Sequence, residues 1–245
     1  MGSSRLCLTD KILPILKLSY DDLPSHMKQC FSFCAVFPKD HEIDMEFLIH
    51  LWMANGFVPK EKDIRLETNG KHIFDELVSR SFFQDVKQVK TDDKKEDDGV
   101  YWFCPRTTCK IHDLMHDVAL SAMESEVATI TDENKPQQSE FLQNTCRHFF
   151  LSCRKPEGIM NHSLKTRSPA IQTLVCRRRI NSSLHHLGKY NSVRALSLCQ
   201  NKGTFLLKPK YLHHLRYLDV SYSDIVTAKG YKHLISSACV GCFWL

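Results

Sequence analysis

Apolar residues recur three and four positions apart through the first third of the chain. Met27, Cys30, Phe31, Cys34 and Ala35 make one such stripe, introduced by Pro24 and Ser25 at a helix start. Asp44 stands at an N-cap position before Phe47, Leu48, Leu51 and Trp52, and Gly56 stands where a left-handed residue closes a helix. Leu66, Ile73, Phe74, Leu77 and Val78 mark a third helix. None of these can bury its face alone, so they must pack on one another. Two strand-like runs follow, Ser81 to Val89 and Val100 to Cys104, separated by KTDDKKEDDG, which has no apolar residue and reads as a solvated loop. A last helix is expected from near Ile111, burying Leu114, Met115, Val118 and Ala122. Three helices and a hairpin with a long tip have the outline of a winged helix.

From Thr129 to Thr145 the chain turns polar, as a linker would. The pattern then changes to Val193-x-x-Leu196-x-Leu198-x-x-Asn201 and, 22 residues on, Leu215-x-x-Leu218-x-Val220-x-x-Ser223-x-Ile225. Both fit the leucine-rich-repeat core LxxLxLxxN, with Ser replacing Asn in the second. Weaker copies lie at Cys146/Phe149/Leu151 and Ile171/Leu174/Cys176. The alternative is a set of unrelated strands in an α+β domain, which the regular spacing disfavours. Such rungs bury apolar strips only against their neighbours, so at least about three are needed. The tail CVGCFWL is apolar where a polar cap or another rung is expected, and reads as a truncated end.

Composition narrows the class. A chain of 245 residues with 42% hydrophobic and 25% charged residues is long enough for one to two cores. The formal charge of +5 is too small and diffuse to imply nucleic-acid binding. No run of 18 apolar residues and no signal-peptide pattern occurs, so an intracellular protein is expected. Its eleven cysteines are then expected to be reduced thiols packed as small hydrophobes.

Three segments carry a family resemblance: LSYDDLP (Leu18 to Pro24), CFSFCAVFPKD (Cys30 to Asp40) and LIHLWMANGFV (Leu48 to Val58). In this order and spacing they resemble the end of the NB-ARC module of coiled-coil-type plant NLR (NB-ARC, leucine-rich-repeat) immune receptors. CKIHDLMHDVAL (Cys109 to Leu120) resembles the MHD region of the same family. The resemblance aligns that motif with Ile111-His112-Asp113, preceded by Cys109-Lys110. The literal Met115-His116-Asp117 then falls in the segment trailing it. Ile111 departs from the family's Met, a swap of similar volume. The resemblance implies that His112 contacts the β-phosphate of ADP and that Asp113 orients His112 and holds the closed state. An imidazole N–H can donate to a phosphate oxygen, and a nearby carboxylate can fix the tautomer. The plainer alternative is a polar first turn in which Asp113 favours the helix dipole.

The family's phosphate-gripping loop, GxxxxGK[ST], does not occur in these residues. ADP or ATP is therefore implied for a full-length parent, and tight binding by this chain alone is not expected. Other constellations are weaker. His112 and His116 have the i, i+4 spacing of HExxH zinc helices, but Asp113 replaces the Glu base. Cys104 and Cys109 lie too close to these histidines for a zinc finger. The candidate groove-reading helix, DMEFLIHLWMANGF, carries two acids and no Lys or Arg. Arg177, Arg178 and Arg179 form a basic cluster that fits a solvated turn. Trp52, Phe57, Phe82, Phe83 and Trp102 fit a core better than a ligand cage.

The expected organisation is a mainly α winged helix with a β-hairpin, followed by the start of an α/β leucine-rich-repeat solenoid. Its parts are residues 1–11 (remnant of a preceding helical, ARC1 region), 12–125 (winged helix, ARC2), 126–144 (linker) and 145–245 (partial repeats). The expected function is that of a fragment of a plant immune receptor: the regulatory winged helix of an ADP/ATP switch coupled to a repeat sensor. No catalytic residue and no metal site is expected. The alternative is a truncated stand-alone protein that binds effectors or parent receptors without nucleotide. Expected partners are the parent's nucleotide-binding subdomain and further repeats, and a pathogen effector or guarded host protein. No nucleic acid and no membrane span are expected. The family resemblance implies a cytoplasmic location, with nuclear or plasma-membrane association open for the parent.

Overall fold

The apolar stripes of the first ninety residues fold as helices that bury those positions. In a computed structural model of the chain, the described residues are 13–89, 106–132, 145–154, 156, 158–159, 170–178, 192–198, 213–219 and 243–244. They fall into two compact units, Met1–Gln88 with Arg106–Glu124, and Val89–Pro105 with Ser125–Leu245. The expected 1–11 remnant, the KTDDKKEDDG loop, the Val100–Cys104 strand and positions Asn201, Val220, Ser223 and Ile225 lie outside the described residues.

In the first unit, α1 (residues 13–21) leads into α2 (Ser25–Phe33), which tightens into a 3-10 turn at Cys34–Val36. Strand β1 (Ile43–Asp44) runs directly into α3 (Met45–Asn55). Asp44 caps this helix, its Oδ1 accepting from the Phe47 amide at 2.8 Å. Gly56 closes it at φ 81°, a conformation that a side chain would disfavour. Eight of the eleven residues of α3 are buried, Trp52 completely. The helix is thus the centre of the unit and not one of its surfaces.

Helix α4 (Leu66–Ser79) packs on α3. The approach is close at Gly70, where an added Cβ would lie 2.5 Å from Cγ2 of Ile49. The start of β2 (Phe83–Val89) completes the aromatic core. Phe31 meets Phe82 edge-on at 4.7 Å, and Phe74 stacks on Phe83 at 5.2 Å. Each large apolar side chain buried here contributes about 1.5–3 kcal/mol.

Strand β3 (Arg106–Ile111) lies later than the second expected strand. It pairs antiparallel with β1, Ile43 opposite Cys109 and Asp44 opposite Thr108, and the sheet order is β1-β3-β2. A two-residue strand such as β1 has no periodicity to read, so the third strand of the wing sheet was not foreseeable. Helix α5 (Asp113–Met123) packs on α2 and the 3-10 turn. Its buried face is Met115, His116, Val118 and Ala119; Ala122, expected inside, is exposed. The last turn runs past the core, and a histidine takes a position that apolar counting leaves empty.

Among the described residues, the second unit is built on a sheet of six strands: β4 (Val127–Thr131), β5 (His148–Ser152), β6 (Thr173–Cys176), β7 (Ala195–Leu198), β8 (Tyr217–Asp219) and β9 (Phe243–Trp244). The first five are parallel and in sequence order, and β9 joins antiparallel to β8. Val127, His148, Thr173, Ala195 and Tyr217 align, so the register advances by 21, 25, 22 and 22 residues. One face carries a continuous core of Phe149, Leu151, Leu174, Cys176, Leu196 and Leu198. The opposite face is buried as well, including His148, Phe150, Thr173, Val175, Ser197 and Tyr217, as is usual for a parallel sheet.

One expectation changes here. Residues 127–131 were expected to begin the 126–144 linker, yet they form β4. Their β-branched side chains suit a strand once β5 supplies the ladder, a pairing invisible in local polarity. Within the apolar tail, Phe243 and Trp244 form β9 beside β8. Cys30, Cys34, Cys109, Cys146, Cys153 and Cys176 are buried thiols, in no disulfide. Burial raises the thiol pKa of Cys109 and Cys146 to about 12, so these sulfurs stay protonated and inert.

Candidate functional site

Strand β3 delivers the candidate motif to the surface. Ile111, its last residue, is buried and anchors the strand end. His112 leaves the strand at φ −61° and ψ 136°, and Asp113 opens α5. Both are exposed. His112 is the helix N-cap: the Leu114 amide donates to its Nδ1 at 3.2 Å, and the His116 amide donates to its carbonyl at 2.9 Å. A ring nitrogen that accepts has no proton, so Nε2 carries it and is a hydrogen-bond donor. In this chain the Leu114 amide fixes the tautomer of His112. Asp113, in the first turn, places its negative charge at the positive end of the helix dipole.

One turn on, the literal triplet has the opposite character. Met115 and His116 are buried, and Asp117 reaches Lys39 at 2.6 Å. His116 donates from Nε2 to the Phe37 carbonyl at 2.7 Å. These contacts clasp α5 to the Phe37–Lys39 turn, and burial keeps the His116 ring from solvent. A histidine at i+4 on the face of Met115, Val118 and Ala119 was the one sequence signal for this role. Lys39 gave none, because its partner lies 78 positions away.

The two histidines do not converge on a metal position: one ring caps the helix and the other is turned into the core. Among the described residues no group of three or more His, Cys, Asp or Glu could hold a metal ion, and Cys104 lies outside them. Trp52, Phe82 and Phe83 are in the core. Phe57 packs 5.7 Å from Phe33, while Trp102 and Arg179 lie outside the described residues. No helix among the described residues is long and apolar enough to cross a membrane.

Residues 36–119, which span α3, the wing sheet and most of α5, match the model of the disease resistance protein winged helix domain. Disease resistance protein RGA2 of Solanum bulbocastanum is 44% identical over 118 residues, 48% of this chain and 11% of that protein. A putative disease resistance protein of Arabidopsis thaliana is 32% identical over 248 residues, 96% of this chain and 15% of its own length. Disease resistance protein RPP13 of Arabidopsis thaliana is 31% identical over 134 residues, covering 54% and 14%. The chain therefore spans between about a tenth and a seventh of these relatives. The second similarity runs through both units, and the domain match falls on the residues that build the first. The chain belongs to the family of plant disease resistance proteins, and residues 36–119 are its winged-helix domain.

Proposed function

We propose that this chain is the regulatory part of a plant defence receptor, in which the N-terminus of α5 reads a bound nucleoside diphosphate. The observation that carries this reading is the pairing of an exposed His112, its Nδ1 tied to the Leu114 amide, with a buried His116 that fixes the helix. One histidine is presented and the other is structural. The donor set fits a phosphate as a single contact: one Nε2–H at the positive end of a helix. ADP held there would supply a phosphate oxygen as acceptor. His112 would donate to it, and Ile111 would anchor the strand end behind the ring. The remaining grip would come from a nucleotide-binding subdomain of the parent, since GxxxxGK[ST] is absent from these residues.

The same reading takes strands β4 to β8 as the opening rungs of a leucine-rich-repeat array. Support comes from the regular register and from one apolar core shared by successive strands. In the parent, residues 12–125 and this array would hold the receptor off while ADP is bound, and exchange for ATP would release it. The buried α3 favours such a role over groove binding, because the helix presents almost no surface.

The test is made in the full-length receptor. His112→Ala is expected to speed ADP release, and Asp113→Val is expected to cause cell death in leaf tissue without pathogen. Unchanged ADP retention in the first together with quiescence in the second would remove His112 and Asp113 from the switch.

A further inference from the structure

The alternation of β3 continues one residue past its end. Cys109 and Ile111 are buried on one side of the strand, at 0% and 4% exposure. Lys110 between them is half-buried, and His112 beyond them is exposed. His112 keeps an extended backbone, at φ −61° and ψ 136°, so its side chain leaves on the same side as that of Lys110. Two residues of strand separate their Cα atoms by roughly 6.6–6.8 Å. The turn into α5 begins only at Asp113.

Lys110 differs from the other lysines at the rim of this unit. Lys28, also half-buried, donates to the Asp21 carbonyl at 2.6 Å and lies over the Tyr20 ring. Lys39 pairs with Asp117 at 2.6 Å, and Lys87 with Glu42 at 3.1 Å. Lys60 and Lys62 have no such partner but are exposed, with water around the whole ammonium. The Lys110 ammonium is half-buried and meets no carboxylate and no hydrogen-bond acceptor among the described residues. Half-burial strips part of its water, and none of these residues supplies the counter-charge that would offset the loss.

We propose that Lys110 is a second phosphate-binding residue, which sets its ammonium on the phosphate next to the one that His112 contacts. The inference rests on the nucleotide reading of His112. A nucleoside diphosphate carries more than one negative charge. The neutral Nε2–H of His112 offers it direction but no net charge. A lysine adds a point charge on a flexible stem, and charge-assisted hydrogen bonds are roughly twice as strong as neutral ones. The two residues then divide the work: His112 fixes where the diphosphate sits, and Lys110 holds its charge. Binding through Lys110 must therefore weaken with salt more than binding through His112. A monophosphate could satisfy only one of the two.

The experiment follows release of fluorescently labelled ADP from the full-length receptor at low and moderate salt. Lys110→Gln is expected to speed release at least tenfold at low salt and to flatten its salt dependence. Lys110→Arg, which keeps the charge, should stay within threefold of the parent, and the exposed control Lys60→Gln within twofold. The unfolding midpoint of Lys110→Gln should match the parent's. If it falls, Lys110→Met keeps the packing of the stem and should show the same fast release. His112→Ala separates this inference from the reading beneath it. Fast release from His112→Ala with parent-like release from both Lys110→Gln and Lys110→Met overturns the role of Lys110 alone. Parent-like release from all three overturns the nucleotide reading, and this inference with it. Fast release from Lys110→Gln but not from His112→Ala would break the shared diphosphate. Equally fast release from Lys110→Arg would make the effect one of packing and not of charge. Either result overturns the proposal.

Discussion

His116 and Phe37, 79 residues apart in the chain, are joined by a 2.7 Å hydrogen bond from the ring Nε2 to the backbone carbonyl. Both residues are buried, and the ring's Nδ1 has no hydrogen-bond partner among the described residues. The bond fixes the register of α5 on the turn that follows α2. It also separates two histidines that the sequence sets one helical turn apart.

Removing it should be costly. His116→Ala removes this buried hydrogen bond, a loss of about 0.5–1.5 kcal/mol, with a further cavity contribution. His112→Ala removes only a helix cap, about 1 kcal/mol. Thermal unfolding of the two variants gives the comparison. Equal destabilisation would mean that the clasp contributes nothing particular. Lys39→Ala should cost less than either, because its ion pair with Asp117 is well exposed and screened.

Acid should loosen the second unit through His148. This ring is buried, shares a 3.1 Å hydrogen bond between Nδ1 and Thr173 Oγ1, and has its pKa lowered to about 3 by burial, then by Arg147 and Arg194. The folded state keeps the ring neutral while the unfolded chain takes up a proton near pH 6.5. Its contribution is therefore complete above about pH 6.5 and declines as pH falls towards 3, by at most about 1.4 kcal/mol per pH unit. His148→Asn should flatten the stability profile over this range. An unaltered slope between pH 7 and 5 would show that the ring does not stay neutral on folding.

Gly70→Ala tests the contact between α3 and α4. Helix propensity alone favours alanine by about 1 kcal/mol. The new methyl would meet Ile49 Cγ2 at 2.5 Å, and this branch cannot swing away without a rotamer change. Net destabilisation of about 1–2 kcal/mol is expected, overpacking outweighing propensity. A chemical-denaturation midpoint at or above that of the parent chain would show that the helices can separate freely.

Asp44→Ala should cost about 1 kcal/mol through loss of the bond to the Phe47 amide. Asp44→Asn, which keeps an accepting oxygen, should recover most of it. If neither variant shifts the unfolding midpoint, the cap is not what starts α3.

Local chemistry made the first unit legible. Asp44 and Gly56 bracket α3 because a capping carboxylate and a left-handed glycine act within one turn of the chain. The stripes of α2 and α4 were readable because each depends on a period of 3.6 residues and on no distant partner. The register of β5 to β8 was readable for a related reason: each rung repeats the same burial problem, so the solution recurs in sequence. The candidate site was only half legible. Ile111, His112 and Asp113 could be picked out by resemblance, whereas the amide that fixes the His112 ring becomes apparent only when the helix start is placed.

What the sequence determined alone is whatever a single turn or a repeating period encodes: helix limits, the apolar stripes and the spacing of the rungs. What tertiary structure decided is whatever needs two distant segments at one point. It paired β1 with β3, converted the expected linker at 127–131 into β4, and sent Ala122 outward while taking His116 in. Each of these depends on desolvation or on backbone pairing supplied from elsewhere in the chain, and a residue's own neighbours carry no record of that.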